Sequence, residues 1–353
     1  MKNVTLNTIK INSKASSILD LLRFLSALTV FLFHFYVPLP GYQAVMIFFV
    51  LSGFFISSTV LKSIKNNRWS WSEYLLKRIT RLWIVLLPCL FLTFVWAKLQ
   101  INLFGTDQKI TNYLDLKKLV GNIFFLQGIS VKVYGLNGPL WSLSYEFWYY
   151  ILFPCIALVI FSRRLIVKFL YTLIFITISI FVGEKIMLYF LVWILGALIP
   201  FIKPFKFKRQ YLNYTFFTVS IVIAICSLNY QAGSSFFSDF LVGVTFSIVI
   251  YIITSLFNNS YNTKFNINKE LASFSYTLYL THYPLANFIL TWLGSPKWPF
   301  AKTTIIIKVV LATLVLSYAW IIALLTEKQT DKIRKLIFYT NYRSRSKKIE
   351  NPY

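Results

Sequence analysis

The chain has 353 residues, 57% of them hydrophobic and 13% charged, and its 36 Lys+Arg against 11 Asp+Glu give a formal net charge of +25. Soluble domains run at roughly 45–50% apolar and about 25% charged. The apolar content excludes a disordered basic tail protein, the long uninterrupted Phe, Tyr and Ile runs exclude a soluble nucleic-acid binder, and 3 cysteines are too few for a disulfide scaffold.

What remains is an all-α polytopic membrane protein with basic loops. A crossing needs about 20 mostly apolar residues. Ten such runs are predicted, at about 18–37, 42–63, 80–100, 139–161, 165–182, 186–202, 211–229, 236–257, 270–293 and 300–326. The first carries Asp20 and Arg23 and lacks a small-x-small cleavage site before Pro38, so it reads as a retained span and not a removable leader. Arg23 and His34 lie 11 residues apart on it, three turns plus about 20°, hence on one face and roughly 16 Å apart along the axis. Ionisable groups inside spans are costly and usually face a bundle interior or a wet cavity. Arg23 is open to two readings, snorkelling to headgroups or lining such a cavity. His34 is either an interfacial hydrogen-bonding residue or the best-placed base near neutral pH.

At the mouth of the third span, KRITRLW sets Arg78 and Arg81 three apart on one helix face. They are either ordinary topology charges or a clamp for a phosphorylated ligand, because guanidinium forks match phosphate geometry. A further apolar piece at 119–129 is too short to cross and is expected to dip into the interface or pack under the helices. In the fourth span Glu146 is the deepest acid of the chain, expected to pair with His34 or with an arginine, inside the aromatic stretch WSLSYEFWYY. Those rings read as an interfacial belt or as a stacking surface for a sugar. His282, in SYTLYLTHYP, falls near the middle of the ninth span. Two histidines and three scattered cysteines fit no metal pattern.

Charge placement predicts the topology. With the N-terminus inside, 24 of the 36 basic residues fall in cytoplasmic segments (Lys2, Lys264, Arg343, Arg345, Lys347 and Lys348 among them), seven in the opposite loops (Lys297 among them), and five within spans. By the positive-inside rule both termini are cytoplasmic, and the charge needs no nucleic acid to explain it. One transmembrane domain over 1–353 is expected, with no soluble domain, and no internal repeat is visible.

Several stretches together resemble the acyltransferase-3 family of integral membrane acyltransferases. They are LDLLRFLSALTVFLFHF with Arg23 and His34, IFFVLSGFFIS, KRITRLWIVLLP with Arg78, Arg81 and Pro88, and LWSLSYEFWYYILFP with Trp141, Ser142, Glu146, Tyr150 and Pro154. SYTLYLTHYPL with Ser275, Tyr279, His282 and Pro284 follows, and Glu327 stands just after the last span. They cover most of the chain in the family's order. Two departures stand out: Phe147 and Trp148 replace the family's second Glu and its Gln, and no Pro follows Glu327. Both read as packing or acceptor-side changes.

The resemblance implies O-acylation, most often O-acetylation, of O-antigen, capsule, exopolysaccharide or peptidoglycan sugars. It implies acetyl-CoA or another acyl-CoA as donor substrate, with no permanently bound cofactor, and residence in a bacterial inner membrane. The partners expected are acyl-CoA, a lipid-linked or exported carbohydrate acceptor and membrane lipids. On this reading His34 is the base or a transient acyl carrier and Glu146 orients it. Arg23, Arg78 and Arg81 bind acyl-CoA, while Trp141, Ser142, Tyr150, Ser275 and His282 serve the acceptor side. The rival readings are a glycolipid or polysaccharide transporter or flippase, which also needs internal polar groups, and a structural subunit of an export complex.

Overall fold

A computed structural model describes residues 6–10, 12–105, 108–230, 235–260, 265–294 and 302–337. Lys2, Lys264, Lys297, Arg343, Arg345, Lys347 and Lys348, and the first two residues of the last expected span, lie outside the described residues.

Thirteen α-helices run in chain order: α1 (Lys14–His34), α2 (Gly41–Lys65), α3 (Trp71–Phe104), α4 (Gln108–Asn112), α5 (Leu116–Ile123), α6 (Leu140–Phe161), α7 (Leu165–Val182), α8 (Glu184–Leu198), α9 (Gln210–Asn229), α10 (Ser235–Leu256), α11 (Ile267–Ala272), α12 (Ser275–Trp292) and α13 (Lys302–Leu325). No named strand occurs among the described residues. Nine helical segments there are long and apolar enough to cross a membrane. The remaining expected span is α12, 18 residues rich in Ser, Thr and Tyr. At 1.5 Å per residue it is about 27 Å long, close to the roughly 30 Å hydrocarbon core. Its polar side chains suit its place between α1, α3 and α13.

One boundary differs from expectation in a way that matters. Helix α3 starts at Trp71 and not near 80, because Ser70 Oγ accepts from Glu73 N and caps it. Arg78 and Arg81 therefore stand about two and three turns inside a helix, not at its mouth. The apolar piece at 119–129 forms the end of α5 and a loop packed on α6, where Phe125 O accepts from Ser144 Oγ at 2.8 Å and Trp148 Nε1 at 3.1 Å.

Helix α2 is the hub, packed against α1, α6, α8 and α10. Its crossing with α8 brings backbones together: a Cβ on Gly53 would sit 2.1 Å from Trp193 O, and one on Gly196 1.9 Å from Val50 O. Small residues permit such approaches between membrane helices. By contrast α7, α9 and α13 expose Leu, Ile, Val and Phe along most of their lengths, as lipid-facing helices do.

Three helices carry an internal proline, which removes an N–H and frees the carbonyl four residues earlier. Pro154 frees Tyr150 O, and Tyr74 Oη donates to it at 2.9 Å. Pro284 frees Leu280 O, which receives Asn137 Nδ2 at 3.0 Å and Cys89 Sγ at 3.1 Å. The freed carbonyls thus tie α3 to α6, and α3 and the loop before α6 to α12. Glu327, in the 3-10 turn after α13, accepts from Thr277 N at 3.0 Å and Thr277 Oγ1 at 2.9 Å. The start of α12 has no cap from its own preceding residue, so Glu327 supplies one from a distance.

Candidate active site

Helices α1, α2, α3, α6 and α12 line a partly open cavity. Arg23, Arg78 and Arg81 line it, and Glu146 is the one carboxylate among the lining residues. The polar wall is completed by Ser52, Ser142, Tyr150, Ser275, Tyr276 and Tyr279. Three guanidiniums against one carboxylate make this an anion-attracting space, strengthened by the low dielectric around it.

Each charge has a structural reason for its position. Glu146 Oε1 accepts from Ser52 Oγ at 2.9 Å and from Tyr150 Oη. Ser52 is itself oriented by Trp193 Nε1 at 3.2 Å, so the close α2–α8 crossing positions the partner of Glu146. The Arg78 guanidinium stands 5.5 Å from the Tyr74 ring and 5.9 Å from the Tyr150 ring, and its Nε is buried without a hydrogen-bond partner among the described residues. Arg23 lies 5.1 Å over the Phe55 ring and 3.5 Å from Asp20. Arg81 is exposed and lines the same cavity.

His34 is elsewhere. It lines a second, open cavity with Phe33, Tyr36, Tyr283 and Asn287. Its ring centroid is 5.4 Å from that of His282 and 4.9 Å from that of Tyr283. His282 is fully buried, with Nδ1 2.8 Å from Leu278 O. That contact makes Nδ1 the protonated nitrogen and leaves Nε2 an acceptor, and Nε2 has no partner among the described residues. One turn along α12, Tyr279 Oη meets Ser142 Oγ at 2.7 Å and lines the arginine cavity. The Tyr279–Ser142 contact and the His282 ring thus stand between the two cavities.

The expected pairing of Glu146 with His34 is not found. Glu146 lies in the arginine cavity bonded to hydroxyls, and His34 packs against His282, because α12 and not α6 borders that end of α1. Arg23, Arg78, Arg81, Ser142, Tyr150 and Ser275 are gathered with Glu146, whereas His34 and His282 form the separate pair. Trp141 lines neither cavity; it packs in an aromatic cluster, 5.0 Å from Tyr145 and 6.0 Å from Phe49 between centroids. Phe147 and Trp148 also stay out of the cavity. Phe147 stacks on Phe125 at 4.2 Å and Trp148 donates to Phe125 O. Sequence reasoning missed Ser52 and Tyr276. Ser52 was visible only as the Ser of LSGFF, with no polar partner nearby in the chain.

A helical membrane protein with an arginine-rich cavity set beside two packed histidines, one of them fully buried, is the class that fold and site define. A family model described as an acyltransferase domain matches residues 17–324, and the chain belongs to the acyltransferase-3 family. Among curated relatives, an O-acetyl transferase of Shigella phage Sf6 is 29% identical over 155 residues, 39% of this chain and 44% of the phage protein. An uncharacterized protein of Haemophilus influenzae is 27% identical over 131 residues, 35% of this chain and 53% of that protein. The chain thus spans about half the length of the curated relatives it matches. No solved structure matches significantly.

Proposed function

We propose that the protein is a membrane O-acyltransferase that moves an acetyl group from cytosolic acetyl-CoA to a sugar hydroxyl of a lipid-linked or exported glycan. We place it in a bacterial inner membrane with both termini cytoplasmic, as the basic loops require. The observation that carries the reading is the arginine cavity with its excess of guanidiniums, one turn of α12 away from His34 and His282. An anionic donor held on the arginine side brings its thioester toward the Tyr279–Ser142 contact. The sugar enters by the histidine cavity.

His34 takes the hydroxyl proton as the oxygen attacks the thioester carbonyl. The C–S bond breaks, the coenzyme leaves as a thiolate that is reprotonated, and the ester stays on the sugar. Tyr279 Oη donates to the carbonyl oxygen as negative charge develops there. The Nε2 lone pair of His282 accepts from His34 once that ring is protonated, the stabilising role a carboxylate has in other triads. Glu146 keeps Tyr150 and Ser52 in place. Labelled acetyl-CoA incubated with the purified protein and a glycan acceptor tests the reading. The expected product carries the mass of one acetyl group more than the acceptor, and is lost with His34→Ala. A protein that carries glycan across a vesicle membrane and never modifies it would be a transporter instead.

A further inference from the structure

Arg78 lines two openings. The second is a surface groove between the end of α2, the turn after it and the start of α3. Lys62, Arg68 and Lys77 stand with Arg78 on its wall, and the one lining carboxylate, Glu73, is already paired with Lys77. The turn that presents these groups is internally tied. Arg68 N donates to Ser63 O at 2.9 Å, Ser63 Oγ donates to Arg68 O at 2.9 Å, and Asn67 takes the left-handed conformation at φ +56°.

Trp69 sits in the same wall, its ring centroid 5.3 Å from Trp71 and 5.1 Å from Tyr74. Its indole Nε1–H is buried with no acceptor among the described residues, and the same holds for Nε of Arg78. Unmet buried donors are costly and uncommon. Four cations, one neutralised acid and an indole with an unfilled donor match a ligand that has phosphates and a heteroaromatic ring. Guanidinium and ammonium groups take phosphates, and aromatic planes take bases. A lipid headgroup supplies phosphate but no ring.

We propose that this vestibule holds the phosphorylated nucleotide end of the acyl donor, with the rest of the donor passing Arg78 into the arginine cavity. The inference rests on the acyl-CoA reading above. It also moves the phosphates away from Arg81: Lys62, Arg68 and Arg78 hold them, and Arg23 and Arg81 are left for the thioester end.

The test compares two donors on full-length protein in nanodiscs, acetyl-CoA and a truncated acetyl thioester of N-acetylcysteamine that lacks the nucleotide. In Lys62→Ala/Arg68→Ala the ratio of kcat/KM for full over truncated donor should fall by about tenfold or more, as expected for lost charge-assisted contacts. Independently of turnover, adenosine 3′,5′-bisphosphate should quench Trp fluorescence, and the quench should shrink in Trp69→Phe. An unmoved donor ratio in a folded variant overturns the proposal. So does a loss that follows the phosphatidylglycerol content of the nanodisc and not the nucleotide, which would assign the groove to lipid. Bisphosphate binding without any glycan acylation would sink the proposed function and leave the vestibule standing. Acylation with no effect of the variants would do the reverse.

Discussion

The two cavities share helices α1 and α12 but differ in what lines them. The arginine cavity has three guanidiniums and a carboxylate, and the carboxylate's hydrogen bonds come from hydroxyls. Arg78 and Arg81 therefore keep hydrogen-bonding capacity for something that enters, while Arg23 is partly engaged by Asp20. No Asp, Glu, Lys or Arg lines the histidine cavity among the described residues. Its chemistry is that of the His34 imidazole, edged by Phe33 and Tyr283 and backed by the buried His282 ring, groups that accept and return a proton without a fixed charge. On the proposed function the difference is a division of labour: one space receives the donor, the other moves a proton, and Tyr279 lines the first.

The sharpest way to break that division is His34→Ala. A general base contributes about 10²–10⁴-fold, so single-turnover transfer should drop by that range while acetyl-CoA binding, measured by calorimetry on the same preparation, stays within about threefold. Equal losses of binding and transfer would mean that the two cavities are one site. Next in size is Arg81, which lines the arginine cavity and not the vestibule. Arg81→Ala should raise the KM for donor by about 10–100-fold, the range for a lost hydrogen bond to a charged group. Arg81→Lys should recover little of it, because a point charge does not replace a planar fork. Full recovery by lysine would mean that Arg81 acts only through its charge.

Glu146→Gln sharpens the comparison by its sign. It removes the one lining carboxylate and makes the cavity more positive, so donor should bind as well or better, and more so at low salt. Turnover should nonetheless fall by about tenfold, because Tyr150 and Ser52 lose the charged acceptor that holds them. Weaker donor binding in Glu146→Gln would show that the carboxylate, not the arginine excess, governs this cavity.

The chain's apolar runs made the long apolar helices legible, since length and hydropathy decide what crosses a bilayer, although α3 starts at Trp71 and not near 80. The Arg78–Arg81 pair was legible for the same local reason, a three-residue spacing on one helix. The His34–His282 pair was not. It depends on which helix borders the end of α1, and nothing in either segment encodes that neighbour. The misassigned partner of Glu146 has the same cause: Ser52 reaches it only because Gly53 and Gly196 let α2 and α8 touch. The prolines lie between these cases. Pro154 and Pro284 announce in the sequence that Tyr150 O and Leu280 O are freed, but the donors that take them, Tyr74 and Asn137, come from distant segments.

The smallest predicted effect tests that last point. Tyr74→Phe removes the donor to Tyr150 O and should destabilise the protein by about 1 kcal/mol, read as a shift of the unfolding midpoint in detergent. Pro154→Ala restores an N–H four residues after that carbonyl and closes the helical hydrogen bond. If the freed carbonyl is what Tyr74 serves, the cost of Tyr74→Phe should largely vanish in the Pro154→Ala background. The coupling in the double-mutant cycle should then approach the size of the single effect. Additive losses would mean that Tyr74 stabilises through its ring, against Trp69 and Arg78, and that the kink in α6 holds itself. In either background Arg78 should report the difference. With the Tyr74–Tyr150 tie gone, the two rings that flank its guanidinium are no longer held together, so donor KM should rise modestly in Tyr74→Phe, and less so when Pro154→Ala is also present.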